Sequence, residues 1–216
     1  MLVIGVFRRV DRSTEVVYTI GIQICIPIFD TMNSAKRLKI LLDSGKTVFT
    51  AQDLRMLWNE SNHTAKINAA RMADSEVLRR ISRGYYSLRK EYNEYELANR
   101  IVSPSYVSFQ SALFYAGISF QERGRVDSAA RINYRKTIDG RVYAYYVIKD
   151  ELLFNIEGIR SYGWVSIASP ERAILDCLYL GFLPDIDRKE KLNKTLIKKL
   201  SAFYPKSVAK KAGSIL

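Results

Sequence analysis

One histidine, two cysteines and a scatter of carboxylates are the material from which this chain could build a catalytic centre. His63 stands alone, so neither a histidine-based triad nor a multi-histidine zinc site has partners to draw on. Cys25 and Cys177 follow no metal-ligand or redox spacing. Glu171 and Asp176 fall on one expected helix but five positions apart, so they point in different directions, and Glu171 suits a helix N-terminus better than acid-base work. A restriction-type nuclease wants an acid and then, on a second strand, an acid-x-Lys triplet; Asp185 and Asp187-Arg188-Lys189 lie too close together for two strands. Gly45-Lys46-Thr47 would close a phosphate-binding loop only with a glycine at position 40, where Ile40 stands. The sequence therefore predicts no enzyme, no metal ligands and no cofactor.

What remains is a set of polar and cationic side chains between positions 64 and 83. Thr64, Lys66, Asn68 and Arg71 fall on one expected helix, and Asn and Arg are the residue types that bond bidentately to adenine and guanine edges. Arg79, Arg80 and Arg83 follow in a region rich in β-formers, where long cations reach phosphates or the minor groove. Double-stranded DNA is the partner this pattern predicts.

Four elements must position those side chains. Asn33-Ser34 caps a first helix with apolar residues at Ala35, Leu38, Leu41 and Leu42, and Gly45 stops it. Thr50 with Asp53 three residues on makes a capping box for a second helix carrying Leu54, Leu57 and Trp58. Asn59-Glu60-Ser61-Asn62 breaks the chain, and a third helix is expected from about Thr64 to Ser75. Ala65, Ala69, Met72 and Ala73 form its inner face, leaving Thr64, Asn68, Arg71 and Ser75 outward. Val77 to Leu88 reads as a hairpin turning at Ser82-Arg83-Gly84. Short helix, sharp turn, Ala-rich helix and hairpin together predict a winged helix-turn-helix over residues 33–90.

Charge agrees with this division. The net charge is +12, and Lys plus Arg outnumber Asp plus Glu by 12 to 5 over residues 33–90 and by 9 to 1 over 188–216, whereas residues 91–187 hold 10 against 13. A cationic excess concentrated in one segment marks a polyanion binder, because each phosphate contact releases condensed counterions. The apolar run Thr19 to Phe29 is about half the length that a bilayer requires and contains Pro27, so no membrane span is expected. No secretory cleavage motif follows it, and a cytoplasmic location is expected.

Beyond Lys90 a second domain is expected over residues 91–216, of mixed α/β character, giving an α+β chain overall. Leu97 to Val102 and Val107 to Tyr115 look helical, Ile138-Asp139-Gly140-Arg141 supplies a hairpin turn, Trp164 to Ile167 a strand, and Ser169-Pro170-Glu171 opens a helix stopped by Gly181. Basic helices are expected at the C-terminal end.

Three motifs in this order carry a resemblance. Ile81-Ser82-Arg83-Gly84-Tyr85-Tyr86 is followed by Ser105-Tyr106-Val107-Ser108-Phe109-Gln110-Ser111-Ala112-Leu113 with Gly117 after it, and then by Ile167-Ala168-Ser169-Pro170-Glu171-Arg172-Ala173-Ile174-Leu175-Asp176. In that order the chain resembles the AbiEi antitoxins of type IV toxin-antitoxin systems over about residues 33 to 200. The resemblance implies a repressor of its own operon, bound at inverted repeats in the promoter, that counteracts a toxin of nucleotidyltransferase fold without a stable complex. It places the antitoxin motif at Ser108, Ser111, Ser169, Pro170, Glu171, Arg172 and Asp176. It begins only after Met32, so residues 1–32 are set apart as an extension and residues 1–31 are read as translated upstream sequence. The rival reading is a winged-helix regulator whose second domain senses a ligand, and that rival requires an apolar pocket with a few converging polar groups there.

Overall fold

Thr50 fixes where a short strand ends and the second helix begins. Its hydroxyl accepts the Asp53 N–H at 3.0 Å, and the Asp53 carboxylate accepts the Thr50 N–H at 2.9 Å, so two otherwise orphaned donors are satisfied reciprocally. The protein's structure, a computed structural model, describes residues 5–8, 18–21 and 32–215. The chain is mixed α+β. Residues 1–33 form a contact unit of their own, in which β1 (Gly5–Arg8) pairs antiparallel with β2 (Tyr18–Gly21). The rest of the expected extension lies outside the described residues.

In the second unit, residues 34–216, the order is α1 (Ser34–Asp43), β3 (Val48–Thr50), α2 (Ala51–Leu57), α3 (Asn62–Asp74), β4 (Arg79–Ser82) and β5 (Tyr85–Ser87). The three strands make an antiparallel sheet in the order β3-β5-β4, and Gly84, at φ +85°, turns β4 into β5. Helix α3 starts at Asn62 instead of Thr64, because the Ser61 hydroxyl accepts the Thr64 N–H at 3.1 Å and caps the helix from within the expected break. Leu41, Leu54, Trp58, Ala65, Ala69, Met72 and Leu78 are buried. The short side chains at 65 and 69 allow α3 to lie close on α2.

A larger sheet follows, built from β6 (Ser105–Val107), β7 (Arg125–Ala130), β8 (Tyr134–Ile138), β9 (Arg141–Val147), β10 (Ile159–Tyr162) and β11 (Val165–Ala168), in the order β10-β11-β6-β7-β9-β8. The β7–β9 and β6–β11 pairs run parallel and the other neighbours antiparallel. Helices α4 (Glu94–Ile101), α5 (Phe109–Tyr115), α6 (Asp150–Leu153) and α7 (Pro170–Tyr179) interrupt the strands, and α8 (Lys194–Ser201) and α9 (Lys206–Ile215) close the chain. The helix expected over Val107 to Tyr115 is thus corrected: Ser105 to Val107 pair with β7, and helix begins only at Phe109. Among the described residues, no helix is long and apolar enough to cross a membrane.

Packing is continuous through residues 90–93. Val48 and Ile81 share one core with Leu97, Tyr106 and Ile167. Glu96, 2% exposed, accepts hydrogen bonds from the Thr47 hydroxyl (2.7 Å), the Thr47 N–H (3.0 Å) and the Val48 N–H (3.4 Å). The Trp164 indole donates to the Ser44 carbonyl at 3.1 Å, with the Lys46 ammonium 4.3 Å from its ring centroid. Removing the Glu96 carboxylate strands these donors. Glu96→Ala is therefore expected to lower unfolding stability in urea by roughly 2 to 4 kcal/mol, whereas exposed Glu91→Ala should stay within about 0.5 kcal/mol of the natural chain. Equal behaviour of the two variants would mean that the joint does not hold the halves together.

Candidate functional site

Helix α3 presents a different face from the one its sequence suggested. With Ala65, Ala69 and Met72 buried, a rotation of about 100° per residue centres the outward strip on His63, Ile67, Ala70 and Asp74, flanked by Lys66 and Arg71, and all six are exposed. Thr64 is exposed beside this strip and its hydroxyl meets the Ser61 hydroxyl at 2.8 Å. Asn68 is not outward. It is half-buried, its amide donating to Glu60 at 2.9 Å, and Glu60 is held in turn by Arg37 of α1 at 2.9 Å. Ile67 and His63 were missed because the outward face was drawn through the polar residues Thr64, Asn68, Arg71 and Ser75, which centre roughly a quarter turn from the strip opposite Ala65, Ala69 and Met72. Taking the positions directly opposite the apolar face, whatever their polarity, would have found them.

The β4–β5 hairpin divides its cations in the same way. Arg79 donates to the Lys90 carbonyl (2.8 Å) and to Asp139 (2.9 Å), tying β4 to the β8–β9 turn, and so leaves the candidate DNA set. Arg80 and Arg83 are exposed. Two other cations of this half are taken inward: Arg37 by Glu60, and Lys46 by Asp53. Burial opposes ionisation of Asp53, but the hydrogen bonds from Lys46 and Thr50 outweigh it and hold the carboxyl below its usual range. Lys66, Arg71, Arg80 and Arg83 are left as the outward cations of α3 and the hairpin.

The second residue set is brought together, and brought inside. Ser108, Ser111, Ser169, Glu171, Arg172 and Asp176 are all at most 5% exposed; Pro170 alone is half-exposed. Asp176 accepts the hydroxyls of Ser108 (2.6 Å), Tyr204 (2.6 Å) and Tyr106 (3.0 Å). Arg172, one turn earlier on α7, donates to the Tyr106 hydroxyl (3.0 Å) and to the carbonyls of Asn155 (2.8 Å), Glu157 (2.6 Å) and Leu152. Ser169 caps α7 and Ser111 accepts the Asp127 N–H at 2.8 Å. Glu171 accepts the Asn193 N–H at 3.0 Å. Most of these side chains spend their polar atoms on contacts within the fold. Tyr106 and Tyr204 belong to the network as fully as Asp176 does, but nothing in the spacing of Tyr204 could have announced it.

One cavity of about 360 Å³ opens elsewhere in this half, lined by residues of α5, β7, β9 and the segment after α7, among them Phe109, Asp127, Tyr146 and Phe182. Among the described residues, no group of three or more His, Cys, Asp or Glu side chains is placed to hold a metal ion. No protein-family model and no curated protein matches the chain.

Burial pushes the Asp176 carboxyl above the ordinary carboxylate range, against the opposing pull of Arg172 and the three hydroxyls. A carboxyl whose pKa is raised in the fold favours its protonated form there. Its contribution to stability is full below the ordinary value of 3.8 and is lost as pH rises through the higher folded-state value. Asp176→Asn is neutral at every pH and lacks this dependence. The stability of the natural chain relative to Asp176→Asn is therefore expected to rise in urea unfolding as pH falls from about 7 to about 4; a flat or falling difference would show a carboxyl ionised throughout.

Proposed function

We propose that residues 34–90 are a winged helix-turn-helix that binds double-stranded DNA, and that the chain is a cytoplasmic, non-enzymatic antitoxin that represses its own operon. The observation that carries the reading is the sorting of cations: Arg37, Lys46 and Arg79 bond to carboxylates within the protein, while Lys66 and Arg71 stay outward on α3 and Arg80 and Arg83 on the hairpin. The element order, helix, strand, helix, helix and hairpin, agrees with that docking mode. Lys66 and Arg71 flank an apolar position, Ile67, suited to a thymine methyl, and Arg71 suits a guanine edge. Arg80 and Arg83 suit phosphates, where they fix register without identifying bases.

The antitoxin part rests on the likeness of the three sequence motifs to the AbiEi family, with a nucleotidyltransferase-fold toxin as functional partner and no stable complex. Because the motif side chains are buried, the surface that opposes the toxin lies on the outer faces of this half, and the motif's work is to hold those faces in place. A second reading, a winged-helix regulator with a ligand-sensing domain, is favoured by the cavity lined by Phe109, Tyr146 and Phe182. An adjacent gene for a nucleotidyltransferase-fold protein separates the two.

Arg71→Ala is expected to weaken operator binding by roughly 1 to 3 kcal/mol and binding to scrambled duplex much less, whereas Arg83→Ala weakens both alike and lowers the salt slope by about one. Titration against both duplexes at several salt concentrations checks this. Equal losses on the two duplexes for Arg71→Ala would show that α3 does not read bases by this face. No loss for either variant would overturn DNA binding.

A further inference from the structure

The cavity in the C-terminal half has walls, floor and rim of different chemistry. Its walls are three rings in mutual edge-to-face contact: Phe109 and Tyr146 centred 5.2 Å apart, Tyr146 and Phe182 5.2 Å, and Phe109 and Phe182 5.9 Å. Leu183, 83% exposed, stands at the mouth, where an isolated apolar side chain gains nothing from water. At the floor lies Asp127, 1% exposed, with the Tyr146 hydroxyl at 3.3 Å and the Arg125 Nε at 3.1 Å. Burial pushes its carboxyl up, with Arg125 opposing. Only the Nε of Arg125 is taken by Asp127, and its two outer amino groups donate to no protein acceptor among the described residues. Arg123, paired with Asp185, stands at the rim.

Phe109, a buried member of the core, also carries backbone strain. It sits at φ +54°, a region that side chains with a Cβ seldom occupy, at the first position of α5. Such strain persists where the surroundings over-determine it, and here it accompanies a ring that forms one wall of the cavity.

A ligand that satisfies all three zones must be planar and apolar in the middle. It must carry an N–H or amino edge for Asp127, and an anionic group for guanidinium N–H donors. The size of the cavity falls in the range of sites for small molecules. We propose that this cavity binds a nucleoside monophosphate, its base lying against the cluster of Phe109, Tyr146 and Phe182, the base's amino edge at Asp127 and its phosphate at Arg125 and Arg123. The site deepens the second reading by naming the class of ligand, and its binding is measured without DNA, so its failure leaves the DNA-binding reading untouched.

Calorimetric titration of the full chain with AMP, GMP, CMP and UMP, with the matching nucleosides, and with inorganic phosphate tests the assignment. At least one nucleotide is expected to bind with a Kd below about 1 mM, its nucleoside about tenfold more weakly, and phosphate alone weaker still. Arg123 stands at the rim and Phe182, though a wall ring, is 37% exposed, so the fold is expected to survive Arg123→Gln and Phe182→Ala, as an unchanged thermal midpoint would verify. Arg123→Gln should weaken the nucleotide about tenfold and leave the nucleoside unaffected, while Phe182→Ala should weaken both. Absence of heat from all four nucleotides, phosphate binding as tightly as the nucleotide, or undiminished binding by both folded variants would each overturn the proposal.

Discussion

A carboxylate and a guanidinium one turn apart on α7, both sealed from water, oblige the rest of the C-terminal half to come to them. An unpaired buried charge costs several kcal/mol, so Asp176 needs the hydroxyls of Tyr106, Ser108 and Tyr204, and Arg172 needs the carbonyls of residues 152, 155 and 157. Those partners come from β6, the start of α5, α6 and the chain that follows it, and the turn before α9. Satisfying two side chains therefore fixes the relative positions of segments that are far apart in sequence. The pattern Ser-Pro-Glu-Arg with an aspartate four residues after the arginine is the imprint of that requirement.

The same frame reaches the N-terminal half. Strand β11 pairs with β6, whose Tyr106 serves Asp176, and the turn before β11 carries Trp164 to the carbonyl of Ser44. Glu96 at the start of α4 holds the backbone of Thr47 and Val48, where β3 begins. Strand β3 ends in the Thr50 cap of α2, and α2 supports α3. A chain of packed and hydrogen-bonded elements thus runs from the buried pair on α7 to the helix that carries Lys66 and Arg71. In the N-terminal half the internal acids select which cations turn inward. Glu60 and Asp53 take Arg37 and Lys46, while Lys66, Arg71, Arg80 and Arg83 stay outward.

Features set by neighbours in sequence were legible from sequence. The Thr50 box, the Ser169-Pro170 helix start and the Asp139-Gly140 turn need only residues within a few positions, and each appears where its spacing placed it. Strands β3 and β7 were not foreseen, because a three-residue strand and a nearly all-buried one lack the alternation that marks a half-exposed strand. The short β6 also escaped notice, with only its last residue, Val107, drawn into the expected helix, for the same reason: Tyr106 and Val107 are both buried, so nothing alternates. Asn68 and Arg79 were misplaced because their partners, Glu60 and Asp139, are tertiary neighbours of a kind that no local pattern reveals. The burial of the Ser108 and Asp176 motif was equally hidden, since polar residue types suggest a surface until their partners are known.

Two basic segments compete for the proposed role of DNA-binding surface, since residues 188–216 carry 9 Lys and Arg against a single acid. Amide hydrogen exchange of the full chain, with and without a duplex of its own promoter, decides between them. Slowed exchange concentrated in α3 and the β4–β5 hairpin, with α8 and α9 unchanged, is the expected result. Slowing confined to α8 and α9, with α3 exchanging as in the free protein, would contradict the account.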